Sequence, residues 1–318
     1  MANVNGTGTS FNLPNYSGEL FTADAENTPF LSMIGGLTGG GMQTDNKEFP
    51  TDSLYQYPEA SQPEISENDS TTAPQATSYV RGQNKNVTQI FHESVSITYR
   101  KMSNAGRLSG INTAGAQNNA PSERDFQIAR VLTKIARDVN WTFLNGEYNL
   151  AETANEADKT RGMFALTTAD NGNAIDANGA ELSKALIQQL LKEMAMNGAT
   201  FSNAVLFCNA HQKQMLSEIY GYAPEDRNVG GVNIQQIETD FARVGIVWDR
   251  FVPSNKILIA EMSVIAPVFQ PVPDKGVLFY EELSKTGAAE EGQIYGEIGL
   301  AHGPAFMHGA ITNLDTGN

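Results

Sequence analysis

The chain has 318 residues and a formal net charge of −15, from 21 Lys+Arg against 36 Asp+Glu. That length exceeds a single compact core and predicts two lobes. The charge argues against a protein built to grip DNA or RNA, because that affinity comes from Lys and Arg releasing phosphate counterions.

Cys208 is the single cysteine, so no intrachain disulfide forms and a reducing compartment is expected. The first residues lack the basic and apolar regions of a signal peptide. No apolar run approaches the roughly 18 residues that span a bilayer, so a soluble intracellular product without membrane contact is expected. Acidity is concentrated at the front, where Lys47 is the one base of residues 1–80 against ten acids. Such a surface can lie near DNA without adhering to it.

Residues 1–45 are rich in Gly, Asn, Thr and Ser, yet carry Phe11, Leu13, Tyr16, Phe21, Phe30, Leu31, Met33, Ile34 and Leu37 without a clear period. A disordered linker lacks such anchors. An extended arm, burying them on its own or a neighbour's surface, is expected. Removing residues 1–40 should then leave a folded subunit.

Residues 46–100 read as a long β-hairpin. Phe49, Leu54, Tyr55 and Tyr57 mark its outgoing strand, and Val87 to Tyr99 alternate as the returning one. Between them Pro58 to Ser78 is acidic, polar and proline-bearing, an exposed loop tip.

Residues 122–145 form the clearest predicted helix. Ser122 with Asp125 resembles a capping box, Gly146 offers a stop, and Ile128, Val131, Leu132, Ile135, Val139 and Phe143 make one apolar face. At 1.5 Å per residue it is a rod of roughly 36 Å, long enough to be a domain's spine.

From about 160 to 275 the texture becomes α/β. A helix is predicted over 181–196, then a buried strand 204–208, and a second helix capped by Asn209 and Gln212 and ending at Tyr220. Further strands are predicted at 244–248 and 256–260. Residues 276–314 return to β, with glycines at regular intervals.

Chemistry is sparse. Cys208 and His211 could form half of a metal site but have no partner at zinc spacing. His302 and His308 lie six apart on predicted strands, facing one way, without a nearby acidic third ligand. No nucleophile elbow, phosphate cradle or dinucleotide fingerprint is present. No catalytic, cofactor-binding or metal-binding residue is assigned, no cofactor is expected, and the chain reads as a non-enzyme.

Three stretches carry a resemblance: Asn27-Thr-Pro-Phe-Leu-Ser-Met-Ile-Gly35, Ala136-Arg-Asp-Val-Asn-Trp-Thr-Phe-Leu-Asn-Gly146, and Gly296-Glu-Ile-Gly-Leu300 with His308-Gly-Ala-Ile-Thr-Asn-Leu314. In wording and order the chain resembles the major capsid proteins of tailed bacteriophages. That resemblance implies an α+β Hong Kong 97-type capsid fold. Its parts would be an N-terminal arm (1–45), an extended β-hairpin loop (46–100), a peripheral domain with a long spine helix (101–159 and 276–318), and an α/β axial domain (160–275).

The implied function is self-assembly into the icosahedral shell around a phage double-stranded DNA genome. The implied partners are further copies in hexamers and pentamers, with scaffolding, portal and decoration proteins. The implied location is the virion capsid, after assembly in the bacterial host cytoplasm. The chain departs from the family in lacking a long helical N-terminal extension, which implies a separate scaffold or prior cleavage. Lys85 lies in the loop region, but nothing around it specifies a covalent cross-link. Two alternatives stay open, an encapsulin-like compartment and a metal-dependent enzyme using His302 and His308.

Overall fold

The structure, a computed structural model, describes residues 26–37, 40–76, 78–103, 123–169, 172–221, 225–229, 232–285 and 287–317. Residues 1–25 and 38–39 of the expected arm lie outside them, as does Ser122, the expected helix cap.

The chain begins with helix α1 (Pro29–Met33), strands β1 (Met42–Gln43), β2 (Glu48–Tyr55), β3 (Arg81–Val87) and β4 (Gln89–Thr98), and helices α2 (Tyr99–Ser103), α3 (Glu123–Asn145) and α4 (Met163–Thr167), among the described residues. Next come β5 (Asn173–Asp176), α5 (Lys184–Met196), β6 (Ala204–Cys208), α6 (Ala210–Tyr220), β7 (Glu225–Val229), β8 (Val232–Glu238) and β9 (Arg243–Trp248). The chain closes with β10 (Ile257–Glu261), β11 (Ala266–Gln270), β12 (Leu278–Glu282), β13 (Ala289–Ala301) and β14 (Gly309–Thr312).

β13 organises the first sheet. Along one edge β4 pairs with it antiparallel, from Ala289↔Thr98 to Ile298↔Gln89. Along the other it pairs first with β12 and then with β11, and β1 adds to β11 in parallel. The alternation in 89–98 is therefore real, but its cause differs from the expected hairpin. Phe91, Val95 and Ile97 face a core while the residues between them do not. The returning strand of the hairpin is β3, which pairs with β2 from Glu48↔Val87 to Tyr55↔Arg81.

The second sheet has seven strands in the order β5-β14-β10-β6-β9-β8-β7. Its centre is buried on both faces, which is why Ala204–Cys208 is a continuous apolar run. Val205 and Phe207 pack toward the α1 and α3 side, and Leu206 and Cys208 toward α5 and α6. Sheet membership departs from sequence order at two strands. β11 joins the first sheet, whereas β14 leaves the terminal strands to pair with β10 and β5 in the second.

The terminal glycines answer to close packing. A Cβ on Gly299 would sit 2.8 Å from the Phe49 ring, and one on Gly309 would sit 2.8 Å from Leu190 and Met194.

α3 buries Ile135, Val139, Phe143 and Leu144, whereas Leu132 drifts off that face and is 38% exposed. Gly146 ends the helix because the chain returns there: a Cβ would lie 2.7 Å from the Thr160 carbonyl. α5 begins at Lys184, later than expected, because the Ser183 side chain accepts from the Leu186 amide. α6 is capped by Asn209 alone. Gln212 is instead fully buried, donating to the carbonyls of Ser254 (2.9 Å) and Asp315 (2.7 Å). Among the described residues no helix is long and apolar enough to cross a membrane.

Candidate assembly surface

The N-terminal anchor is held inside its own subunit. Phe30 and Leu31 are buried, and the Phe30 ring meets Phe207 edge to face at 5.1 Å. The first turn of α1 has no local side-chain cap. Its free amides are taken from a distance. The Leu31 amide donates to Asn140 Oδ1 at 2.9 Å and the Phe30 amide to Asp249 Oδ2 at 3.5 Å. Asn140 Nδ2 donates to the same carboxylate oxygen at 3.0 Å, and the Phe251 amide donates to Asp249 Oδ1 at 2.9 Å. Burial pushes the Asp249 carboxyl above its ordinary range, against the pull of those three donors. The expectation that residues 1–40 are dispensable to folding is thereby corrected, since that deletion removes core.

The hairpin is rooted at its base and open at its far end. At the base, buried Asn86 donates to the Leu300 carbonyl at 2.8 Å and accepts from the Arg161 amide at 2.8 Å. Phe49 lies against Gly299. Farther out, Tyr55, Tyr57 and Tyr79 form an edge-to-face row with centroids 5.4 and 5.3 Å apart, and these three and Val80 are all more than half exposed. Beyond them the loop carries Glu59, Glu64, Glu67 and Asp69, with no Lys or Arg between residues 56 and 80.

The sequence singled out three histidines and one cysteine, and the structure gives the buried ones packing roles. Burial pushes the Cys208 thiol up to about 12, which leaves it un-ionised at neutral pH. His211 sits at the start of α6 with the C-terminal Gly317 close against its ring. His302 and His308 do come together, but not as a pair of metal ligands. His308 Nε2 donates to the His302 carbonyl at 2.6 Å, and its Nδ1 accepts from the Glu261 amide at 3.2 Å. Both ring nitrogens of His308 are thus occupied, and the metal-enzyme alternative loses its geometric basis. Among the described residues no group of three or more His, Cys, Asp or Glu is placed to hold a metal ion.

Sequence reasoning passed over Asn140 and Asp249. The available signals were an Asn on the apolar face of a helix and an Asp closing an apolar strand.

Among curated proteins none matches the chain. The fold is similar to a chain of the cyanophage A-1(L) capsid asymmetric unit, with TM-score 0.66 and 11% identity over 99% of both chains. It is similar to a chain of Mycobacterium phage Patience, with TM-score 0.58 and 10% identity over 92% of this chain and 84% of the other. It is also similar to the SrpI encapsulin of Synechococcus elongatus PCC 7942, with TM-score 0.55 and 11% identity over 87% and 86%. At such identities these likenesses show the fold, which is the Hong Kong 97-type capsid fold. The model of the SU10 major capsid protein family matches residues 3–315, and the chain belongs to that family.

Proposed function

We propose that this major capsid protein assembles with copies of itself into the icosahedral shell enclosing a phage double-stranded DNA genome. The observation that carries the reading is a family match over residues 3–315 in a chain whose hairpin leaves an aromatic row uncovered by its own subunit. Exposed apolar surface of this kind marks a contact with another chain. A neighbouring copy covers it, and many such contacts per subunit add up to the large interfaces of obligate assemblies. Hexamers and pentamers are the capsomers of such a shell. Scaffolding, portal and decoration proteins are its further partners, and the virion capsid is its location after assembly in the host cytoplasm.

In this reading residues 1–45 are the arm and 46–100 the extended loop region. Residues 101–159 with 276–318 make the peripheral domain, and 160–275 the axial one. β11 and β14 are exchanged between the last two, as their pairing supports. The role is structural, without catalysis. The charge of −15 supports an inner wall that repels packaged DNA rather than trapping it.

Negative-stain microscopy of the purified protein tests the proposal. Closed shells or capsomers are expected, and a protein that stays monomeric at all concentrations and salt conditions overturns it. The likeness to the encapsulin supports a second reading, a compartment that encloses protein cargo. Shells from an infected host that contain cargo enzyme and no DNA would select that reading.

A further inference from the structure

The chain passes between the two sheets at two crossovers that lie against each other. One runs from β10 to β11 through the 3-10 turn Met262–Val264, the other from β13 to β14 through the 3-10 turn Ala305–Met307. Gly303 takes φ +66°, and a Cβ there would sit 2.8 Å from the Val264 side chain. Among the described residues the His308 ring makes one hydrogen bond between the crossovers, the Glu261 amide donating to Nδ1, and one inside the second crossover, Nε2 donating to the His302 carbonyl. From outside, Asn173 Nδ2 donates to the carbonyls of Phe306 and His308, at 2.8 Å each.

These partners fix the tautomer. Nδ1 faces an N–H and so must be the lone pair, whereas Nε2 must carry the proton. An imidazolium would set one N–H against another, with no acceptor. The groups around it offer no compensation. The Glu261 carboxylate is taken by the Asn203 amide at 2.9 and 3.0 Å and by the Ser263 hydroxyl at 2.6 Å. His302 is itself a buried imidazole. Its Nδ1 donates to the Gly303 carbonyl at 2.7 Å, and its Nε2 has no partner among the described residues. Arg161 and Asp52 act on His302 with opposite signs.

We propose that the crossovers 261–265 and 302–308 form a proton-operated seam, in which protonation of His308 breaks its bond to the Glu261 amide and opens the contact between the two crossovers. Burial holds the His308 imidazole down to about 4, from an ordinary 6.5. The opened seam, with its ring in water, binds the proton more readily than the closed one. Closure is therefore complete above about pH 6.5 and is lost progressively as pH falls toward 4.

The test compares wild type with His308→Gln, whose amide can accept from Glu261 and donate to His302 without titrating. An exposed-site control is His92→Gln. In wild type and control, protection of the Glu261 amide, corrected for intrinsic exchange, should fall roughly 50-fold between pH 7.5 and 4.5. In His308→Gln it should stay level. Equal acid sensitivity in all three proteins overturns the proposal. Should His308→Gln fail to fold, the wild-type imidazole is titrated by NMR. A His308 that titrates near 6.5 in the closed protein overturns it equally, and one that stays neutral to about pH 4 supports it.

Discussion

Asn140 and Asp249 share a 3.0 Å hydrogen bond, and together they accept the first two amides of α1 from 109 and 219 residues away. Helix α3, the end of β9 and helix α1 meet at this one buried node. Asn140→Ala leaves the Leu31 amide without its acceptor and removes a donor to the carboxylate. It should cost about 1–3 kcal/mol for each buried group left unpaired. The shift in urea midpoint measures it, and a variant as stable as wild type would show that the node is slack.

The same node carries a pH signature. Burial raises the Asp249 carboxyl in the folded protein above its unfolded value of 3.8, so the folded state binds the proton more tightly than the unfolded chain. Its contribution is fully favourable below pH 3.8 and is lost as pH rises through the folded value. Asp249→Asn should flatten this part of the stability profile. An unchanged slope between pH 4 and 7 would assign the dependence to other groups.

The anchor sets where the arm can be cut. Deleting residues 1–25 leaves Phe30, Leu31 and their partners in place, so the truncated chain should still melt cooperatively as a folded subunit. Deleting residues 1–40 strips two buried side chains from the core. Large-to-small losses at single such sites cost about 2–5 kcal/mol, so the longer deletion should be largely unfolded or aggregated. Equal stability of the two truncations would contradict the packing of α1.

The face of α3 allows a paired comparison. Ile135 is 1% exposed and Leu132 is 38% exposed, though both fit the apolar spacing in the sequence. Ile135→Asp buries a charge among apolar neighbours and should cost several kcal/mol, a large part of a domain's stability. Leu132→Asp should cost no more than about 1 kcal/mol. Thermal melts of the two variants separate them, and similar losses would mean that Leu132 is covered in the folded protein.

Much of the local structure was legible. Apolar spacing located α3, and the continuous run at 204–208 located a strand buried on both faces. What stayed hidden was non-local. Alternation in 89–98 reveals which side chains face a core but not which strand lies alongside, so the partner β13 could not be read from it. The glycines at 299 and 309 are explained by Phe49 and by Leu190 with Met194, residues more than a hundred positions away. Asn140 and Asp249 look like faults in apolar patterns until α1 is placed over them. His302 and His308 were expected on strands and facing one way, but both lie just outside β13 and β14, on either side of the 3-10 turn Ala305–Met307. The role of His308 was not legible, because that depends on the Glu261 amide.

In the proposed shell, the acidic end of the hairpin brings charge to the contact between copies. Residues 56–80 carry four carboxylates and no base, so against a neighbouring copy they meet either solvent or a basic surface. One exposed ion pair is worth only about 0–1 kcal/mol, so single substitutions should pass unnoticed. Reversing three together, Glu59→Lys, Glu64→Lys and Glu67→Lys, changes the local charge by six units and should slow or misdirect assembly, read by light scattering at low salt. Because the charges are exposed, raising salt toward 1 M, where the screening length falls to about 3 Å, should bring mutant and wild type together. A triple variant that assembles at the wild-type rate in low salt would leave the tyrosine row, rather than the carboxylates, as the contact that matters. In that event Tyr57→Ser should slow assembly independently of salt.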